Sequence, residues 1–320
     1  MFRAVIFAST LVLAAPAALA QQDLSKVEIR TETVSPSIAV LFGAGGNIAV
    51  SHGADGTVLV DDQFAPLTPK LQAAVAALGA TPVKWLINTH WHGDHSGGNE
   101  NFGKAGAMIM AHDHVRERLA EGSLHRGGRA APAPKDALPV LTYHDGITLH
   151  LNGDTVRVMH APHAHTDGDS ILHWETANVF HMGDTFFHKV TLPYIDLGSG
   201  GSVYGVLAAA DMVLAKADEK SVIIPGHGPL ATKADLAAYR AMLAEVVGAV
   251  ESAKAGGMSL DEVKAMKPAA KYEVKGGFIM GDAFVEAIYN SEKGHPRGHK
   301  PDRSKDVMGA HSHGGGDHSH

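Results

Sequence analysis

The sequence predicts an α/β protein built from two similar halves, with two sheets packed face to face and helices outside. Three observations carry this expectation. Each half runs as strands, then a helix, then a strand that delivers a histidine, His90 in the first and His227 in the second. The strands are short, β-branched and separated by glycine-rich turns, as sheets with one covered face require. At 320 residues the chain is long enough to bury a large core as one domain of two halves.

The elements follow in order. Residues 27–33 alternate, with Val27, Ile29, Thr31 and Thr33 opposite Glu28, Arg30 and Glu32, which reads as a half-exposed strand. "IAVLF" (38–42), "NIAVS" (47–51) and "TVLVD" (57–61) read as further strands. Thr68 is expected to cap a helix with Pro69 at its first position and Gly79 after its end. Leu67, Leu71, Val75 and Leu78 would form its apolar stripe. "VKWLIN" (83–88) reads as a buried strand and "GAMIMA" (106–111) as the next. Residues 120–138, rich in Gly, Pro, Ala and charge, read as a long surface loop.

The second half repeats the plan. "ITLHL" and "TVRVMH" flank an Asn152-Gly153 hairpin turn, and "SILHWE" and "NVFHMG" form another pair. A helix over about 202–217 precedes the strand "SVIIP" (221–225). A long helix starts at the Thr232 cap, with Leu236, Tyr239, Leu243, Val246 and Val250 at helical spacing.

Both ends differ from this body. Residues 1–20 carry one early charge, Arg3, an apolar run and Ala18-Leu19-Ala20, and read as a cleaved secretory signal. That implies a periplasmic or secreted protein with no stable membrane insertion afterwards. Residues 21–293 would be the domain. Residues 294–320 have no apolar periodicity and read as a disordered histidine-rich tail, with His295, His299, His311, His313, His318 and His320 able to bind metal loosely. A formal charge of −7 gives no electrostatic case for a nucleic-acid partner. There is no cysteine, so any metal site must use His, Asp and Glu, and no thiol can act as nucleophile.

The stretch "NTHWHGDHSGGN" (88–99) concentrates such ligands. His90 and His92 stand two apart, so in an extended segment they point the same way and can share an ion. Asp94 and His95 follow Gly93, where the backbone is free to turn, and can face a second ion. The second half offers His163 and His165 in "HAHTDGD", Asp184 in "MGDTFF" and His227 in "PGHG".

With these motifs the chain resembles the metallo-β-lactamase-fold hydrolase superfamily over roughly residues 27–255. The H-x-H-x-D-H pattern at 90–95 is that family's signature. The resemblance implies an αββα four-layer sandwich. It implies that His90, His92 and His165 hold a first zinc, and that Asp94, His95 and His227 hold a second. His165 is preferred to His163 because the family's third histidine precedes a Thr and a turn. Asp184 falls where the family places a cysteine or a bridging aspartate. Asp61 or Asp62 matches an early aspartate that is more structural than catalytic.

The expected function is zinc-dependent hydrolysis with two Zn2+ per chain, although an all-nitrogen and oxygen donor set also admits iron or manganese. Two ions ~3.5–4 Å apart can share a hydroxide that attacks the carbonyl of a small-molecule substrate. Asp94 would bind metal, orient the hydroxide and accept its proton. The segments "HTDGDS" and "YIDLGSGGS" (194–202) resemble an exported branch close to β-lactamases, which makes a β-lactamase-like enzyme the leading expectation. Two departures count against it: Asp184 in place of cysteine, and Phe187 where those enzymes carry a carboxylate-gripping lysine, leaving Lys189 as the nearest cation. The alternatives are a thioester or lactone hydrolase resembling glyoxalase II, and a periplasmic zinc-binding protein without catalysis. A di-iron redox role is disfavoured because His92 stands where those members usually carry glutamate.

Overall fold

The structure, a computed structural model, describes residues 23–122, 124–125, 128–129 and 131–293. Residues 1–20, expected as a secretory signal, and the whole of 294–320, expected as a histidine-rich tail, lie outside the described residues.

The first half opens with four strands, β1 (Arg30–Ser35), β2 (Ile38–Phe42), β3 (Ile48–Gly53) and β4 (Gly56–Val60), paired antiparallel in order. Helix α1 (Thr68–Ala77) then crosses over to β5 (Val83–Ile87), which lies parallel to β4. The chain continues through α2 (Gly93–Ser96), α3 (Asn99–Lys104), β6 (Met108–His112), α4 (Asp113–Glu121), the short hairpin β7 (Leu124–His125) and β8 (Gly128–Arg129), and β9 (Leu141–Tyr143). The first sheet has the order β1-β2-β3-β4-β5-β6-β9.

The second half runs β10 (Gly146–Leu151), β11 (Asp154–Ala161), β12 (Asp169–Trp174) and β13 (Val179–His181), again antiparallel in order. Helix α5 (Val203–Leu214) crosses over to the parallel strand β14 (Val222–Ile224). Three helices close the described chain: α6 (Lys233–Ala255), α7 (Leu260–Ala265) and α8 (Gly281–Asn290).

The period-two alternation of the strands builds four layers. Val40, Val58, Val60, Ile87 and Met110 of the first sheet pack against Val158, Leu172, Trp174 and Ile224 of the second. Their chain neighbours Leu41, Leu59, Leu86 and Ile109 face α1 and α3 on one outside. Ile171, Phe180 and Ile223 face α5, α6 and α8 on the other. Each fully buried Val, Leu or Ile contributes about 1.5–3 kcal/mol, so these stripes fix which face of each strand points inward. The architecture is the αββα sandwich expected.

Several local details differ from expectation. Thr68 does not cap α1: it is the helix's first residue, and Leu67 takes the cap position with no side-chain bond. Burial of Leu67, Leu71 and Val75 holds this helix instead. Strand β1 begins later than expected and Thr31, Glu32 and Thr33 are all exposed, because it is an edge strand paired only with β2. Val27 and Ile29 pack against the outer core before the strand starts. The 120–138 segment is not wholly loop, since α4 runs to Glu121 and a hairpin follows. Where capping chemistry is strong the expectation holds: Thr232 and Asp235 form a reciprocal capping box at α6. Asn152 and Gly153 both adopt positive φ, 56° and 74°, as the tight hairpin needs. Among the described residues no helix is long and apolar enough to cross a membrane.

Candidate metal centre

Four chain segments meet at one end of the sandwich, each leaving the carboxyl end of a strand. After β5 the chain bends at Thr89, His90 and Trp91 rather than running extended as expected, and only His92 itself is extended (φ −63°, ψ 147°) before the next helix. The bends bring the His90 and His92 rings to one point. Helix α2 then turns Asp94 and His95 inward. The loop after β11 brings His165, the turn after β13 brings Asp184, and His227 follows β14.

The donor atoms form two sets, each within 4.8 Å of its own members: His90, His92, His165 and Asp184, then Asp94, His95 and His227. In the first, His92 Nδ1 lies 3.2 Å from His90 Nε2 and 2.9 Å from His165 Nε2. In the second, His227 Nε2 lies 3.2 Å from both His95 Nε2 and Asp94 Oδ2. Asp184 spans the two. Its Oδ2 is 3.6 Å from His165 Nε2 and 3.9 Å from His90 Nε2. Its Oδ1 is 3.0 Å from His95 Nε2 and 3.4 Å from His227 Nε2.

The outer ring nitrogens explain why the inner ones are available. His95 Nδ1–H donates to Asp61 Oδ2 at 2.7 Å, and His92 Nε2–H donates to Asp196 Oδ2 at 2.9 Å. His165 Nδ1–H donates to the Tyr194 carbonyl at 2.7 Å. His90 Nδ1–H donates to Thr89 Oγ1 at 3.1 Å, whose own hydroxyl donates to Asp61. Each partner fixes a tautomer and leaves the opposite nitrogen's lone pair facing the shared space. The buried Asp184 Oδ1 takes no well-directed hydrogen bond there. A side chain at Gly226 would overlap that oxygen, and one at Gly46 would overlap the His95 ring. The backbone is therefore cleared for a dense cluster of donors. Their imidazole and carboxylate chemistry fits two divalent ions of the zinc, iron or manganese type.

The electrostatics point the same way. Burial pushes His90 well below its ordinary range, helped by the nearby His95 ring. Burial likewise takes His165 down to about 4, so burial favours in both rings the neutral form that a metal ion needs. Burial would also lower His95 and His227, but Asp184 and Asp94 outweigh it. His95 is held high and His227 reaches about 9. In turn Asp184 and Asp94 resist the upward push of burial and stay below the carboxylate range. The two carboxylates thus call for compensating positive charge in this space, which divalent ions provide.

His163 does not join either set; its ring donates to the Gly200 carbonyl at 3.0 Å. Phe187 is buried and stacks on His227, with 3° between the rings. Lys189, the cation expected nearest the site, is exposed and pairs with Asp235 at 3.3 Å. It does not line the cleft beside the metal centre. Arg118 of α4 does line it, and grips both oxygens of Asp167 at 2.7 and 2.5 Å. Of the early aspartates, Asp61 supports His95 and Thr89, while Asp62 accepts from Gly98 N at 2.8 Å. Asp196, Thr89 and Arg118 were not singled out by the sequence.

The profile of the metallo-beta-lactamase superfamily matches residues 43–227, more than half of the chain, and takes in all seven clustered residues. The chain belongs to the metallo-beta-lactamase superfamily. Within this superfamily it is 28% identical over 192 residues to an atrochrysone carboxyl ACP thioesterase from Aspergillus terreus. That match covers 59% of this chain and 50% of the thioesterase, so the chain spans half of that relative's length. It is 29% identical over 230 residues to a hydroxyacylglutathione hydrolase from Anaeromyxobacter dehalogenans, covering 68% of this chain and 73% of the relative. Among solved structures, a metallo-beta-lactamase from Pontibacter korlensis superposes with a TM-score of 0.58 at 17% identity. That likeness covers 68% of this chain and 99% of the other and reflects the shared fold.

Proposed function

We propose that this metallo-hydrolase cleaves an activated acyl compound, a thioester, ester or lactone, at a two-ion centre. The carrying observation is the Asp184 carboxylate, one oxygen toward each imidazole set. His90, His92 and His165 would hold one ion, Asp94, His95 and His227 the other, and Asp184 would reach both. When bound, such a pair supplies a Lewis acid for the carbonyl and lowers the pKa of a nucleophilic water towards ~7. The chain's own residues do the rest. Asp94 lines the cleft, and the carboxylate oxygen that the ion does not hold would accept the water's proton. Buried His90 and His165 keep bulk water from their side of the centre. The acyl reading is supported by the names of the two curated relatives, a thioesterase and a hydroxyacylglutathione hydrolase. A β-lactam is also a strained acyl compound and belongs in the same screen.

The test is metal analysis of the purified protein beside turnover of thioesters, lactones, aryl esters and β-lactams. Two ions per chain and cleavage of at least one class bear the proposal out. A protein that takes up two ions yet opens none of them overturns it.

A further inference from the structure

The cleft that opens from the metal centre holds about 590 Å³. Its outer wall is set by α4, where Val115, Arg118 and Leu119 share one helical face. Val115 and Leu119 pack on Trp91, and the Ala133 N–H donates to the Leu119 carbonyl at 2.8 Å, which ties the segment ending at Pro134 to the helix. Phe64 and Phe278 stand on the remaining sides, and Phe278 is 55% exposed at the rim. The wall beyond the metal ligands is therefore mostly apolar.

Away from the metal ligands, the charges of the described residues that line it are already matched. Among the described lining residues the only Lys or Arg is Arg118, whose guanidinium is bound to both oxygens of Asp167. The acid on that wall, Glu100, is paired with Lys104 at 2.6 Å. Among the described lining residues, an anionic group placed away from the metals would meet apolar side chains, a paired carboxylate and a guanidinium already bound to Asp167. An alkyl or aryl group would be desolvated against Trp91, Leu119 and Phe64.

Resting on the acyl-hydrolase reading above, we infer that the cleft selects substrates by an uncharged apolar acyl group rather than by an anionic handle. Leu119 is the specificity-determining residue at the centre of that wall. Complete burial of one methylene corresponds to about a 4-fold gain, which sets the upper slope of the expected preference.

Two measurements on the zinc-loaded protein test this. The first is kcat/KM for p-nitrophenyl acetate, butyrate and hexanoate, and for the p-nitrophenyl half-ester of glutarate. The second is binding of the matching acyl hydroxamates, which need no turnover. We expect kcat/KM to rise on the order of 10-fold from acetate to butyrate, with hexanoate above the glutarate half-ester. Hydroxamate affinity should rise in the same order. Leu119→Lys should lower the hexanoate-to-acetate ratio at least 10-fold. A flat response to chain length in both series, or a preference for the glutarate compounds, overturns the inference while leaving the hydrolase reading intact. Length-dependent hydroxamate binding with no cleavage of any ester, thioester, lactone or β-lactam upholds the inference and overturns the hydrolase reading alone.

Discussion

Asp196 Oδ2 accepts a hydrogen bond from His92 Nε2–H at 2.9 Å, across 104 residues of chain. The same oxygen takes the Ser199 hydroxyl at 2.6 Å, which fixes the carboxylate in its turn. This bond selects the His92 tautomer whose Nδ1 faces His90 and His165. Asp196→Ala should weaken metal binding at the first set by about 10–100-fold, the usual cost of losing such an outer partner. Competition with a chromophoric chelator reads this directly. Unchanged affinity at both sites would show that His92 needs no such partner.

Asp61 is the second buried anchor. It is fully buried and accepts from Thr89 N, Thr89 Oγ1 and His95 Nδ1, each at 2.7 Å. Asparagine keeps one acceptor oxygen and turns an N–H₂ toward one of these donors. Asp61→Asn should cost about 3–5 kcal/mol of stability, as when one partner of a buried ionic network is removed. Urea unfolding at fixed zinc measures it. A loss under 1 kcal/mol would mean that the network relaxes around the amide.

How much of this was legible beforehand follows from sequence separation. His90, His92, Asp94 and His95 announce themselves because one tight segment carries all four, and His227 because it ends a strand between two glycines. Asp184 could be offered as a strand-end ligand from the residues, but its place between the two sets came only through the resemblance. Asp196 could not be read at all as a support for His92, since nothing local in "YIDLGSGGS" states what lies across the fold. Arg118 was missed for a similar reason. Its role depends on α4 facing the loop of Asp167, and the segment 113–121 has too few apolar residues to betray a helix beside the cleft. The helices α7 and α8 also went unread, although the Ser259–Glu262 capping box was a usable signal. The Thr68 cap failed because tertiary burial of Leu67 and Leu71 decided the helix start.

Acid sensitivity has a source outside the metal centre. His112 is buried and its ring stacks on His160 at 3.7 Å. Burial first, then His160 and His114, push it down to about 3. Its unfolded value is about 6.5. Between those values the unfolded chain binds the extra proton, so stability is lost as pH falls from about 6.5 toward 3 and is undiminished above. The slope from this one group is at most ~1.4 kcal/mol per pH unit. His112→Asn keeps an acceptor for the His114 N–H that His112 Nδ1 now receives at 3.2 Å. The variant should start less stable at pH 7.5 but lose stability less steeply between pH 6 and 4. Parallel curves for the two proteins, with metal-linked terms common to both, would place the acid sensitivity elsewhere.

Asp184 offers the sharpest discrimination, because its two oxygens face different imidazole sets. It lies in the turn Gly183–Thr185, and its side chain supplies no cap there. The fold therefore has little need of the carboxylate, whereas two cations held together need both its oxygens and its charge. Asp184→Asn retains the shape, loses the charge and leaves one oxygen for one set. The folded structure should survive, with unchanged circular dichroism. Metal content should fall from two ions toward one under chelator conditions that the unaltered protein withstands. Turnover should drop on the order of 10²-fold or more, the scale seen when support at a metal site is removed. An alanine at the same position should lose the same ion and no less activity. Full turnover with two tightly held ions in Asp184→Asn would reduce the aspartate to a space-filling turn residue, and the two-ion centre would have to be held by the six remaining ligands alone.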